Sequence, residues 1–165
     1  ESPGDPFRSA LEASWDAVHY YDALERHAGT DHEWGGFVYR DRSGLYRSSE
    51  GVRGEQRAVG RPDEQEVKPL TNIDKHCPPN QFIQDWHTHG TSPVAGFDSP
   101  SPEDLKTSKL LSRDMNPSVR RASGAPFMSV VLGSDGSFWI LVPSLEGKLP
   151  GNPHGAFRYL NGRWQ

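Results

Sequence analysis

Phe82-Ile-Gln-Asp-Trp-His-Thr-His-Gly90 is a stretch that predicts a β-strand ending at a glycine, with two histidines on one side. Side chains of an extended segment alternate between its two faces, so His87 and His89 should point the same way. Imidazole is a preferred ligand of zinc and related ions, and a strand end leaves room for an open site. A His-x-His pair alone also fits two hydrogen-bonded histidines, so the surrounding sequence has to decide between the two interpretations.

The composition indicates one polar, globular domain, which we interpret as covering residues 1–165. Hydrophobic residues make up 33% of the chain, and five Trp, five Tyr and seven Phe argue against disorder. The net charge of −4 argues against a phosphate-binding surface, so we expect no nucleic-acid partner. No stretch is long and apolar enough to predict a membrane span.

Two single residues bear on redox chemistry and on processing of the chain. The lone cysteine, Cys77, excludes an internal disulfide framework, and we interpret it as incidental. The chain begins with Glu1 rather than Met, which fits a piece cut from a longer polypeptide and equally a trimmed chain.

The first half of the sequence predicts a helix followed by a hairpin. Asp5-Pro6 is typical of a helix start, and Gly29 should end that helix after about His27. Its apolar face is predicted to consist of Leu11, Trp15, Val18, Tyr21 and Leu24. Residues 33–40 predict a strand that turns through residues 41–44 into a second strand at 45–47. The charged residues 50–80 predict at most one short strand, around Val67.

The second half predicts a helix between strands. A helix from Ser101 to about Arg113 should follow the histidine strand. Residues 127–132 and 138–142 flank a Gly/Asp turn and predict a hairpin of central strands, and residues 157–160 predict an edge strand. The order α-β-β-loop-β-α-β-β predicts an α/β (α+β) fold with a mixed sheet and flanking helices.

Asp104 is a candidate third metal ligand. It lies fifteen residues after His89, in the first turn of the second predicted helix. Two histidines and one aspartate would leave a fourth position for water, as in catalytic zinc sites. The pattern Ser101-x-x-Asp104 is also an ordinary capping box, in which Ser101 satisfies a helix N–H group. The two interpretations of Ser101 are compatible, because its hydroxyl could also steady an oxyanion at the positive end of the helix.

Glu33 is a candidate general base. A glutamate at the start of a strand is common on surfaces, but a hydrolytic metal site needs a group that takes a proton from water and gives it to the leaving amine. Gly35 and Gly36 follow it, and their lack of side chains permits the close approach of another backbone or a substrate.

Taken together, Glu33, then His87-Thr-His89, then Ser101-x-x-Asp104 resemble the JAMM (Jab/MPN) metallopeptidase motif in composition and order. The chain is most similar to the DUF4329 type, Jab-related domains found at the C-terminal ends of bacterial polymorphic and Rhs-type toxins. The similarity spans roughly residues 10–142, and its further matches are Glu-x-Gly-Gly-x-x-Tyr, Gly44-Leu-Tyr46, His-Thr-His-Gly and Leu132-Gly-Ser-Asp-Gly136.

The resemblance implies a Jab/MPN-like fold with one Zn²⁺ held by His87, His89 and Asp104. Glu33 would be the general base and acid, and Ser101 the oxyanion partner. The implied function is a zinc-dependent peptidase or isopeptidase that acts as a toxin or effector. It would be made in the bacterial cytoplasm within a larger polypeptide, delivered or secreted to a target cell, act on a protein or peptide substrate, and be blocked by a cognate immunity protein.

The chain departs from the family pattern after the second histidine. Gly90 stands where the family usually has proline, and the gap from His89 to Ser101 is longer than usual. Asp98 in that loop is therefore a competing third ligand, and it or Asp85 could hold an imidazole tautomer.

Two alternatives stay open beside the peptidase. The first is a metal-dependent nuclease on the same ligands, against which the acidic composition argues. The second is a metal-free binding module, for which the presence of all five motif residues would be unnecessary.

Overall fold

A computed structural model describes residues 3–56, 81–92 and 98–165 of the chain. These residues form an α+β domain in which three helices pack on one mixed sheet of eight strands. The helices are α1 Ala10–Ala28, α2 Pro102–Asp114 and α3 Pro117–Ser123. The strands are β1 His32–Arg40, β2 Tyr46–Ser48, β3 Val52–Gln56, β4 Phe82–Thr88, β5 Met128–Leu132, β6 Phe138–Leu141, β7 Ala156–Leu160 and β8 Arg163–Trp164. The predicted fold class is confirmed.

The histidine strand lies in the middle of the sheet. The strand order is β2-β1-β4-β5-β6-β7-β8, and β3 pairs with β1 beside β2. β4 is antiparallel to β1 and parallel to β5, whereas the other neighbours are antiparallel. A central strand is covered on both faces, so its side chains alternate between two separate layers.

The helices cover opposite faces of β4. On one face, the Tyr21 ring of α1 stacks on Trp86 with centroids 5.4 Å apart. On the other face, Ser108 of α2 is hydrogen-bonded to Ser129 of β5, at 2.6 Å. His87 follows Trp86 and therefore faces α2. Trp86 is 1% exposed and packs in the core.

The predicted start of α1 is wrong. The helix begins after Ser9, whose hydroxyl accepts a hydrogen bond from the Glu12 N–H, and not after Asp5. The reason is tertiary: Phe7 forms an isolated β-bridge with Tyr46, with two backbone hydrogen bonds of 2.8 Å. Residues held in an extended bridge cannot be helical at the same time.

The apolar face of α1 differs in part from the predicted one. Trp15 and Leu24 are 41% and 42% exposed. The buried residues are Ala13, Ser14, Ala17, Val18, Tyr21 and Glu25. Small alanines face the sheet because they let the helix approach it closely. The predicted end is confirmed, since Gly29 caps the helix with a φ of 70°.

The other elements follow the sequence patterns with three omissions. The β1–β2 hairpin, the histidine strand, α2, the β5–β6 hairpin and the strand at β7 are confirmed. β3 and α3 were not predicted, and β8 lies outside β7 at the sheet edge. The predictions for Val67 and Cys77 fall outside the described residues. Among the helices of the described ranges, none combines the length and apolarity that crossing a membrane requires.

Candidate metal centre

The two histidines converge at the end of β4. His87 is one residue before the end of the strand and His89 one residue after it, on the face that α2 covers. Their Nε2 atoms lie 3.2 Å apart. The His89 side chain is 1% exposed and that of His87 is 16% exposed, so only His87 reaches toward solvent. The prediction that this pair faces one way is confirmed.

Asp104 completes the group from the first turn of α2. Its Oδ1 lies 3.1 Å from His87 Nε2, and its Oδ2 lies 2.9 Å from His89 Nε2. The same Oδ2 accepts a hydrogen bond of 2.7 Å from the Ser101 N–H group, and Ser101 Oγ accepts one of 3.1 Å from the Asp104 N–H. The capping box and the convergence on the histidines therefore occur together, and the cap fixes the carboxylate orientation.

The three side chains fit a metal ion. One ligand atom from each residue lies within 4.8 Å of the other two. Four ligands at the usual zinc distances of roughly 2.0–2.1 Å are about 3.3 Å apart in a tetrahedron. The two Nε2 atoms are 3.2 Å apart, close to that spacing, and each lies 2.9–3.1 Å from a different oxygen of the Asp104 carboxylate. Imidazole and carboxylate suit zinc and several other divalent ions, so the group defines a candidate metal site without selecting the ion.

Asp98 does not take part in the converging group. Its carbonyl oxygen accepts a hydrogen bond of 2.7 Å from Trp139 Nε1. A side chain at Gly133 would overlap that carbonyl, because the backbone of Asp98 packs against the β5–β6 hairpin. Among the described residues, the carboxylate beside both histidines is that of Asp104. The geometry thus favours Asp104 over Asp98 as third ligand.

Glu33 is buried on the histidine face of the sheet. It is 1% exposed. Its neighbour Trp34 stacks on Tyr21 at 4.5 Å, which places Trp34 on the α1 side and Glu33 on the opposite side. Two residues further along β1, Gly35 is paired with His87. The negative charge of Glu33 is among the charges that raise the pKa of His87.

Charge at the site stabilises a protonated His87 before metal binds. Burial lowers the pKa of His87, but the charge and hydrogen bond of Asp104, together with the charges of Glu33 and Asp85, outweigh it and raise the pKa to about 9. Burial likewise raises the pKa of Asp104, but His87 and His89 outweigh it and hold that pKa far below its usual range. A metal ion would therefore displace a proton from His87.

Asp85 lies on the same face as His87 but is bonded elsewhere. Ser129 Oγ donates a hydrogen bond to Asp85 Oδ1, and Ser108 on α2 is bonded in turn to Ser129. Burial raises the pKa of Asp85 to about 6, although the Ser129 bond and the charge of His87 oppose the rise. The hydrogen bond of Asp85 to Ser129 connects β4 to β5 and, through Ser108, to α2 behind the site. This bond does not hold an imidazole tautomer, which is the role that the sequence predicted for Asp85.

Ser101 lies next to the group as the N-cap of α2. Its hydroxyl accepts the Asp104 N–H bond, and a hydroxyl that accepts one bond can still donate its own hydrogen. The oxyanion role stays a prediction that this position permits.

Glycines accommodate close packing around the histidines. A Cβ atom at Gly36 would lie 2.7 Å from Cε2 of Trp86, so the glycine admits the indole ring, not a substrate. Gly90 has a φ of 75°, which proline cannot adopt. Asp31 fixes the turn after Gly90 by accepting bonds from the N–H groups of Thr91 and Ser92 at 2.6 and 3.1 Å.

The sequence patterns missed Glu25 and Asp31, which hold the segments around the site. Glu25 lies in the last turns of α1 and Asp31 in the α1–β1 connection, and nothing in their local sequence predicts which distant groups they contact. Asp31 directly precedes β1, whereas Glu25 lies inside α1, so no shared sequence signal could have found both.

Comparisons with known proteins identify no relative. No protein-family model, curated protein or solved structure matches the chain.

Proposed function

We propose that the protein is a zinc-dependent hydrolase of peptide or isopeptide bonds, of the JAMM type. The observation that carries the proposal is the convergence of His87, His89 and Asp104. Two histidines and one carboxylate leave coordination positions open, as in catalytic zinc sites, whereas structural sites use four protein ligands. Glu33, buried on the same face, supplies the acid–base group that such a reaction needs.

The proposed reaction assigns a separate role to each residue. His87, His89 and Asp104 would hold the ion, and a bound zinc ion would polarise the substrate carbonyl and lower the pKa of water toward neutrality. Glu33 would take the proton from the attacking water and deliver it to the leaving amine nitrogen. Burial of this carboxylate keeps competing solvent away from it.

Ser101 would act at the substrate carbonyl oxygen. It caps the N-terminus of α2, where the helix dipole favours negative charge. A hydroxyl donated from this position would stabilise the oxyanion that develops during attack. The capping box keeps Ser101 and the ligand Asp104 in a fixed relation, so the oxyanion donor and the metal ligand move together.

The proposed biological role follows from the resemblance to DUF4329 toxin domains. The domain would be the toxic part of a longer bacterial polypeptide that is delivered to a target cell, where it cleaves a protein substrate. Its producer would need an immunity protein that covers the site. Such an inhibitor could reach the metal ligand His87, because the edge of its side chain is exposed.

The test is cleavage by zinc-loaded protein compared with Glu33→Gln and with Glu12→Gln. Glu12 is an exposed glutamate on α1 and serves as the matched control. Each protein is incubated with a peptide library and with peptides linked through a lysine side chain, and new termini are counted by mass spectrometry. We expect cleavage by wild type and Glu12→Gln, and a loss of at least about 100-fold in Glu33→Gln at unchanged zinc content.

The other outcomes select the alternatives. Zinc-dependent cleavage of DNA or RNA in place of peptides would replace the peptidase by a nuclease. A protein that holds no zinc and cleaves none of these substrates would favour the metal-free binding module. Equal cleavage by Glu33→Gln would reject Glu33 as the base.

A further inference from the structure

A buried carboxylate on α1 holds both neighbours of Glu33. Glu25 is 3% exposed and lies near the end of α1, before the α1–β1 connection. Its Oε2 accepts hydrogen bonds from Thr30 Oγ1 at 2.5 Å and from the His32 N–H at 3.0 Å, with His32 Nδ1 at 3.2 Å. Its Oε1 accepts a bond of 2.8 Å from Trp34 Nε1. Residues 32 and 34 are therefore anchored to the same side chain.

A shift in the strand register falls at Glu33. β1 and β3 pair His32 with Gln56 and Trp34 with Arg53, so one residue of β1 faces two residues of β3. Such a bulge interrupts the ladder and changes the direction of nearby side chains, and bulges are frequent beside active sites. The position of Glu33 then depends on what holds its neighbours.

A second hydrogen bond of Trp34 connects it to the segment that carries the two histidines. The Trp34 backbone N–H donates a bond of 3.0 Å to Thr88 Oγ1, and Thr88 lies between His87 and His89. Glu25 thus fixes one end of Trp34 and Thr88 the other. These contacts connect Glu25, through Trp34, to the segment that carries the two histidines.

We propose that Glu25 is a positioning residue that holds β1 on both sides of Glu33, opposite the bulge in β3, and aims the Glu33 carboxylate at the metal site. The inference rests on the proposed function, since it concerns the base of that reaction. The buried carboxylate is suited to this role because it keeps its charge. Burial raises the pKa of Glu25, but the bonds from Thr30, His32 and Trp34 outweigh it and lower the pKa. Glu25 therefore stays ionised and keeps all its donors at neutral pH.

Cobalt-substituted protein tests the inference without a substrate. The visible spectrum of bound Co²⁺ reports ligand geometry, and its change with pH reports ionisation of the coordinated water. Wild type, Glu25→Gln, Glu33→Gln and the exposed control Glu12→Gln are titrated. Removing the negative charge of Glu33 should lower the midpoint of the transition, because a nearby anion disfavours hydroxide.

We expect Glu25→Gln to lower the midpoint in the same direction as Glu33→Gln by at least about 0.5 pH unit, with the spectrum at low pH unchanged. A merely structural residue would alter metal binding or stability but not this midpoint in an intact site. Trp34→Phe, which removes the Nε1 bond and shortens the ring that stacks on Tyr21, should give a smaller shift of the same sign and replaces Glu25→Gln if that variant does not fold. Glu12→Gln should match wild type.

The titrations distinguish failure of the Glu25 role from failure of the proposed function. A shift in Glu33→Gln but none in Glu25→Gln and Trp34→Phe overturns the role of Glu25 and leaves the proposed function standing. The absence of a shift in Glu33→Gln overturns both, because Glu33 would then not act at the metal. Failure of wild type to bind Co²⁺ overturns the proposed function itself.

Discussion

The ion pair between His87 and Asp104 predicts that His87 in metal-free protein titrates far above an ordinary histidine. Its pKa of about 9 exceeds the reference value of 6.5. Asp104 is the first of the groups that raise it, ahead of Glu33 and Asp85, whereas burial acts in the opposite direction. Replacing Asp104 by Asn should therefore bring the pKa of His87 down by about 2 units or more.

The assay is an NMR pH titration of metal-free protein with labelled histidine. Asp98→Asn is the matched control, because it removes a carboxylate shortly before α2 that lies outside the converging group. We expect a His87 midpoint near pH 9 in wild type and Asp98→Asn, and one near or below pH 6.5 in Asp104→Asn. A wild-type midpoint near 6.5, or no change in Asp104→Asn, would refute the electrostatic account.

The same pKa governs stability and metal binding. Because the folded pKa of His87 is raised, its stabilising contribution is complete below about pH 6.5 and is lost as the pH rises through about 9. For zinc, the proton is a competitor: at pH 7 about 1% of His87 is deprotonated, so the apparent affinity is about 100-fold weaker than at pH well above 9.

Three further results are expected. Gly36→Ala should lower the free energy of unfolding by about 1–3 kcal/mol in urea titrations, because its Cβ would crowd Trp86. Gly35→Ala is the control, since its Cβ meets only ordinary contacts. An equal loss of unfolding free energy in the two variants would contradict this. Gly90→Pro should lower the free energy of unfolding by more than about 1 kcal/mol and weaken zinc binding, because proline cannot adopt the Gly90 φ of 75°. A variant as stable as wild type would contradict this. Excess zinc should raise Tm in wild type, as measured by calorimetry, but not in His87→Ala.

Local patterns allowed the ligands to be predicted. The His-x-His spacing needs only the two-residue period of a strand, and Ser-x-x-Asp needs only the geometry of a helix start. The two interpretations of Asp104 turned out to describe one carboxylate, whose Oδ2 accepts the Ser101 N–H and lies beside His89. A capping residue can therefore be oriented for metal binding by the cap itself.

Tertiary contacts decided what could not be predicted. The hydrogen bonds of Glu25 depend on the position of Trp34, nine residues away. The true start of α1 depends on the bridge from Phe7 to Tyr46. β3 carries charged residues and lies at the sheet margin beside β1, where strands need no apolar pattern. By contrast, α3 could have been predicted, because Asn116-Pro117 is an N-cap residue followed by proline in the first helical turn.

The most direct test of the metal site is zinc stoichiometry combined with X-ray absorption at the zinc edge. The protein is stripped with chelator, dialysed against zinc and measured beside His87→Ala and Asp104→Ala. We predict about one zinc per wild-type chain with nitrogen and oxygen ligands at roughly 2.0–2.1 Å, two of them imidazoles, and loss of this zinc in both variants. Wild type without bound zinc, or zinc retained at full stoichiometry in both variants, would contradict the account.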